Sequence, residues 1–130
     1  MVSTEPFIAV VDDETPVRIM LGRLLRLADY RVCEYACGED FLASLDGPQL
    51  PLCAIVDLHM PGLSGLEVQS RLRAAKLKVP VVFITASDDP GLDRSALDLG
   101  ARGLLRKPFS SDELLEAIGI AIGPRNDAAP

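Results

Sequence analysis

Five short apolar runs, each followed by a stretch of helical spacing, leave this chain few folds to choose from. The runs are Phe7 to Val11, Val32 to Ala36, Cys53 to Asp57, Val79 to Ile84 and Gly103 to Arg106. Apolar, β-branched runs bounded by turn residues read as strands buried on both faces, as in a parallel sheet. The run from Val32 is shorter and more polar and suits a sheet edge. Parallel neighbours need a helical crossover, and right-handed crossovers set helices on both faces. The expected fold is therefore α/β, a doubly wound five-stranded parallel sheet.

The helices can be placed from their caps. Thr15 reads as an N-cap with Pro16 at the first helical position. Val17, Met20, Leu21, Leu24 and Ala28 mark the buried face, and Arg18, Arg23 and Arg26 the solvated one. A second helix runs from about Glu39 to Leu45 and stops at Asp46-Gly47-Pro48. A third runs from about Gly65 to Ala75, with Leu66, Val68, Leu72 and Ala75 as apolar positions. Asp88-Asp89-Pro90-Gly91 reads as a turn before a short helix that ends at Gly100. Ser110 and Glu113 have the spacing of a capping box, and the last helix reaches about Ile122 before Gly123-Pro124 stops it. Residues 1–122 form one expected domain, with 123–130 a tail or truncated linker.

With 130 residues, 48% of them hydrophobic, the chain can bury a core of its own. A formal net charge of −6 argues against nucleic-acid contact by this domain. No apolar run approaches the length of a membrane span, and the N-terminus lacks the form of a secretory signal. The cysteines Cys33, Cys37 and Cys53 have no paired spacing and read as free thiols in a reducing, cytoplasmic setting. Together with the single His59 they match no zinc pattern.

The chemistry gathers at the strand ends. Asp12 and Asp13 follow the first strand, Asp57 ends the third, Thr85 follows the fourth and Lys107 the fifth. In a doubly wound sheet all carboxyl ends lie along one edge, so these positions converge. Like charges about 4 Å apart cost roughly 4 kcal/mol at an effective dielectric of 20. A hard divalent cation with oxygen ligands would offset that cost, and Mg²⁺ suits such a set. A carboxylate nucleophile, a metal, an ammonium and a hydroxyl together are what phosphoryl transfer needs.

In these motifs the chain resembles the receiver domain of bacterial two-component response regulators. Asp12-Asp13, Asp57, Met60-Pro61-Gly62, Thr85-Ala86 and Lys107-Pro108-Phe109 carry the likeness, which extends roughly from Pro6 to Ile122. The run from Asp57 to Gly65, with Phe83-Ile84-Thr85, looks most like the FixJ-like branch. The resemblance implies the flavodoxin- and CheY-like strand order 2-1-3-4-5. It implies that Asp57 is the phosphoacceptor, taking a phosphoryl group from a sensor histidine kinase or phosphotransfer protein. Asp13, Asp57 and the backbone carbonyl of His59 would hold Mg²⁺, with Asp12 acting mainly through water. Lys107 would neutralise phosphoryl oxygens, and its bond to Pro108 is usually cis in the family. Thr85 would swing inward to report the phosphorylated state. A transcriptional output partner, and a homodimer through the fourth helix, last strand and last helix, are further implications.

One position departs from the family. The aromatic that usually couples to the switch Thr is replaced by Leu104, a residue that otherwise reads as packing on an edge strand. His59 and Ser87 stand two places beyond Asp57 and Thr85, where the family tunes dephosphorylation, although a loop His is more often simply solvated. Other readings fit less well. An aspartate-nucleophile phosphatase wants a carboxylate at His59. A flavodoxin-like nucleotide or flavin binder wants a Gly- or Ser/Thr-rich phosphate loop where Asp12-Asp13-Glu14 stands. A receiver that signals by contact alone would not need the complete acidic and Lys set. Beyond its own phosphorylation and dephosphorylation at Asp57, no catalytic activity is expected.

Overall fold

The apolar run nearest the N-terminus forms β1 (Phe7–Val11), which pairs with β2 (Arg31–Tyr35) on one side and β3 (Cys53–Asp57) on the other. β4 (Val81–Thr85) and β5 (Gly103–Arg106) complete a parallel sheet in the expected order 2-1-3-4-5. This is a computed structural model, and it describes residues 6–47 and 49–123. Each strand leads into a helix: α1 (Thr15–Leu27), α2 (Gly38–Ala43), α3 (Gly65–Ala74), α4 (Pro90–Asp98) and α5 (Ser111–Ile122). A 3₁₀ turn over Ser44–Asp46 extends α2.

Alternation along the strands divides the core in two. Ala9, Val56 and Phe83 face Phe41, Val68, Leu72 and Ala96, under α2, α3 and α4. Ile8, Val10 and Ile55 face Leu21, Leu25, Leu114 and Ile118, under α1 and α5. Every residue of β3 and β4 is buried, whereas β2 lies at the edge and is largely open. Burial on both faces of the inner strands is why their sequences run apolar without interruption.

Several local expectations need correction. Thr15 is the first helical residue of α1, and Glu14 is the N-cap, without a side-chain cap bond. Pro16 therefore stands second, still within the first turn, where its missing N–H costs nothing. Met20 is 43% exposed, because the buried stripe of α1 is centred on Leu21 and Leu25 and a neighbouring position lies about 100° away. Ala75 is exposed as the C-cap of α3. Pro90 and Gly91 belong to the first turn of α4, since the Asp89 side chain caps the helix by accepting from the Gly91 N–H at 2.8 Å. The Ser110–Glu113 capping box is present in both directions. Pro48 and, of the expected tail, residues 124–130 lie outside the described residues.

Placement in the sheet separates the cysteines. Cys53 on β3 is fully buried, and burial pushes its thiol up to about 12, whereas Cys33 on the edge strand is exposed. At pH 8 a disulfide reagent should modify Cys33 promptly and Cys53 only after denaturant is added. Prompt reaction of Cys53 in the native protein would contradict this packing.

Candidate functional site

Parallel register brings the strand ends to one edge. Val11 pairs with Val56, Asp57 with Ile84 and Thr85 with Arg106, so the residues at and just past these positions are neighbours. Asp12 leaves β1, Asp57 closes β3, Thr85 closes β4 and Lys107 follows β5. The Lys107 backbone N–H donates to the Thr85 carbonyl at 2.8 Å, which carries the β5 end onto the β4 end. The Lys107-Pro108 bond is cis.

Past β3 the chain turns sharply. Gly62 takes φ +75°, a left-handed conformation that an L side chain rarely adopts. At Gly65 a Cβ would lie 2.5 Å from the Asp57 carbonyl oxygen and 3.1 Å from the Phe83 ring. Only glycine lets the start of α3 close so tightly over the end of β3. The Ser64–Glu67 capping box then holds the first turn of α3.

Asp12, Asp13 and Asp57 each bring one carboxylate oxygen within 4.8 Å of the others. Asp12 and Asp57 are buried, and Asp13 is the most open of the three. At that spacing each like-charged pair costs about 3–4 kcal/mol at an effective dielectric of 20. Lys107 Nζ partly offsets this from 3.4 Å to Asp57, 3.6 Å to Asp12 and 3.1 Å to Glu14. Burial alone would lower the Lys107 pKa. Its bond to Glu14 and the Asp57 and Asp12 charges outweigh that and raise it, so the ammonium stays charged.

Asp12 shows the strain of the arrangement. Its carboxyl is pushed up to about 6, chiefly by burial, against the Glu14 N–H bond that favours the anion, and with the Asp57 charge raising it further. Among the described residues, Asp12 Oδ2 is buried and accepts no hydrogen bond, although it is the oxygen that faces Lys107 Nζ at 3.6 Å. Three close carboxylates, one of them with a buried oxygen that accepts no hydrogen bond, form an acidic pocket that could hold a metal ion. The donors are all hard oxygens, so Mg²⁺ or Ca²⁺ fits them better than zinc. Asp57 Oδ1 accepts from the His59 N–H at 3.0 Å, which fixes the carboxylate plane.

Asp12, Asp13, Asp57 and Lys107 are thus brought together. Thr85 is buried on the same edge, with its hydroxyl turned to its own loop, where it accepts from the Ser87 N–H at 3.0 Å. The His59 side chain is exposed, as an ordinary loop residue would be. Leu104 is half-buried, pairs in register with Phe83 and packs against the core.

Two partners of the pocket escaped sequence reasoning. Glu14 pairs with Lys107, and Arg18, assigned to a solvated face, donates to the Asp12 carbonyl at 2.7 Å and approaches Glu34 at 3.9 Å. A signal for Arg18 did exist. It lies three and four positions past Thr15 and Glu14, and helical side chains lean back toward the N-terminus and the strand end.

Comparison with known proteins decides the family. The model of the response regulator receiver domain matches residues 8–119. This chain belongs to that family. It is 35% identical over 127 residues to the transcriptional regulatory protein FixJ of Bradyrhizobium diazoefficiens, covering 98% of this chain and 62% of that one. It is 34% identical over 116 residues to nodulation protein W of the same organism, covering 89% and 51%. The crystal structure of FixJ-N superposes with a TM-score of 0.85 at 31% identity, covering 92% of this chain and 95% of that one. The FixJ-like character of this receiver domain is therefore plain in sequence and in fold. The chain spans between half and two thirds of the two curated relatives, at 51% and 62% of their lengths. Among the described residues, no helix is long and apolar enough to cross a membrane.

Proposed function

We propose that this receiver domain is a phosphorylation-driven switch in which Asp57 accepts a phosphoryl group from the phosphohistidine of a sensor kinase or phosphotransfer protein. The observation that carries this reading is the Asp57 carboxylate, held by the His59 N–H on one oxygen and facing the Lys107 ammonium with the other. A carboxylate oxygen of Asp57 attacks phosphorus, and the P–N bond breaks with its electron pair returning to the imidazole. The product is an acyl phosphate on Asp57. Lys107 takes up charge on the phosphoryl oxygens, and the Thr85 hydroxyl turns from Ser87 to the new group. Such a transfer depends on positioning and charge stabilisation more than on proton movement.

Asp13, Asp57 and the His59 carbonyl would hold Mg²⁺, with Asp12 acting through water. When bound there, the ion would supply charge neutralisation for the transferring group. The catalysis is confined to the domain's own phosphorylation and dephosphorylation. The output is a partner or attached domain in the cytoplasm, and the names of the relatives support transcriptional regulation. A homodimer through α4, β5 and α5 is the mode of assembly this reading favours.

The test is the intact mass of the protein after incubation with Mg²⁺ and acetyl phosphate. One added phosphoryl group, lost when the metal is chelated, is the expected result. No gain with acetyl phosphate or with a kinase, while Mg²⁺ still binds, would favour a receiver that acts by contact alone. Asp13→Ala should weaken Mg²⁺ binding by at least about 10-fold in a titration, as loss of a coordinating group does. Unchanged affinity would remove Asp13 from the ligand set.

A further inference from the structure

Leu104 cannot report the movement of a hydroxyl by a polar contact, because its side chain has no polar atom and packs half-buried against the core. Two residues on, Arg106 lies on the same face of β5 and pairs in register with Thr85. Its guanidinium donates to the Ser87 backbone carbonyl and to the Asp93 carboxylate, and approaches Asp88 at 3.8 Å. Ser87 lies in the loop after β4, and Asp93 in the first turn of α4. Ser87 is therefore held from two sides. Its N–H is bound by the Thr85 hydroxyl at 3.0 Å, and its carbonyl by Arg106.

We infer that Arg106 is the positioning residue that couples the state of the Asp57 site to α4, in the role left open by Leu104. This rests on the reading of Asp57 as phosphoacceptor and Thr85 as the hydroxyl that turns to it. While Thr85 faces its own loop, Ser87 is fixed and Arg106 ties β5, the loop and α4 together. When the Thr85 hydroxyl turns to the phosphoryl group, Ser87 loses the partner of its N–H. The loop then leaves the reach of Arg106, and α4 is released. A planar, multi-donor guanidinium suits the task, because it binds a carbonyl and a carboxylate at once. The Arg106 side chain is 40% exposed, so each contact is individually modest and the coupling a matter of a few-fold.

Linkage makes the inference testable. If occupation of the site loosens the latch, loosening the latch must favour occupation by the same factor. The probe is beryllofluoride with Mg²⁺, which mimics a phosphoryl group on a carboxylate. Its apparent affinity is measured by calorimetric titration on the full chain, with melting temperatures as the folding control. Arg106→Ala should bind roughly 2–5-fold more tightly than wild type, the range set by exposed ion pairs. Asp93→Ala should do the same, Arg106→Lys should fall between, and the double alanine variant should gain no more than either single change. Unchanged or weaker binding by folded Arg106→Ala, or additive gains, would overturn the latch while leaving Asp57 as acceptor. Failure of the wild type itself to bind would instead overturn the reading of Asp57, and the latch with it.

Discussion

Asp57→Asn is expected to fold as the wild type does and to gain no phosphoryl group from any donor. The amide has nearly the same shape as the carboxylate, so its oxygen can still accept from the His59 N–H now bound at 3.0 Å. Two effects on stability oppose one another. The change removes one of three carboxylates whose oxygens lie within 4.8 Å, and it also gives up the 3.4 Å pairing with Lys107. With both acting, stability should stay within about 1 kcal/mol of wild type by urea denaturation. The chemistry is not balanced in that way. A neutral amide oxygen is a poor nucleophile, and neither Asp12 nor Asp13 closes a strand as Asp57 does between the Lys107 ammonium and the His59 N–H. Intact mass reads the outcome directly. A variant modified as fully as the wild type would move the acceptor to another residue.

The largest effect on stability is expected from Phe83→Ala. Phe83 is fully buried on β4, within the core under α2, α3 and α4. Its ring also lies against the start of α3, 3.1 Å from where a Cβ on Gly65 would stand. Truncation removes the ring from a close-packed region that can collapse only in part, which costs about 3–5 kcal/mol. Against a total of about 5–15 kcal/mol for a domain, that is a large share. The urea midpoint should fall by roughly 1–3 M with little change in slope, as expected for loss of packing without a change of unfolded state. A shift under about 0.5 M would mean that the site repacks and that the ring does not hold α3 against the sheet. The same variant should also loosen the loop between Asp57 and Gly65, because the Phe83 ring fills the space beside Gly65 where a Cβ would meet it.

The sheet was legible because its signal is local and repeated. Each inner strand is buried on both faces, so the apolar runs stand out with no partner identified. The convergence of Asp12, Asp13, Asp57, Thr85 and Lys107 was legible for a topological reason, since parallel strands with helical crossovers put their carboxyl ends together. What the sequence hid depends on long side chains choosing among distant partners. Gln69 is buried on α3 because its amide caps the Leu99 carbonyl at 2.8 Å, thirty residues away. Arg18 and Arg106 could as well have faced water, and only the packed loops give them the Asp12 and Ser87 carbonyls. The exposure of Met20 has another cause. Spacing locates an apolar stripe along a helix more easily than it centres it, and a shift of one residue turns a side chain from the core to the surface.

The most direct measurement is to find the phosphoryl group. Wild-type protein treated with Mg²⁺ and acetyl phosphate would be reduced with borohydride, which converts an aspartyl phosphate to homoserine, then digested and its peptides sequenced by mass. Homoserine at position 57, absent when the metal is chelated, is the predicted result. Homoserine at Asp12 or Asp13 with Asp57 untouched would contradict the account, as would a fully phosphorylated protein carrying homoserine nowhere.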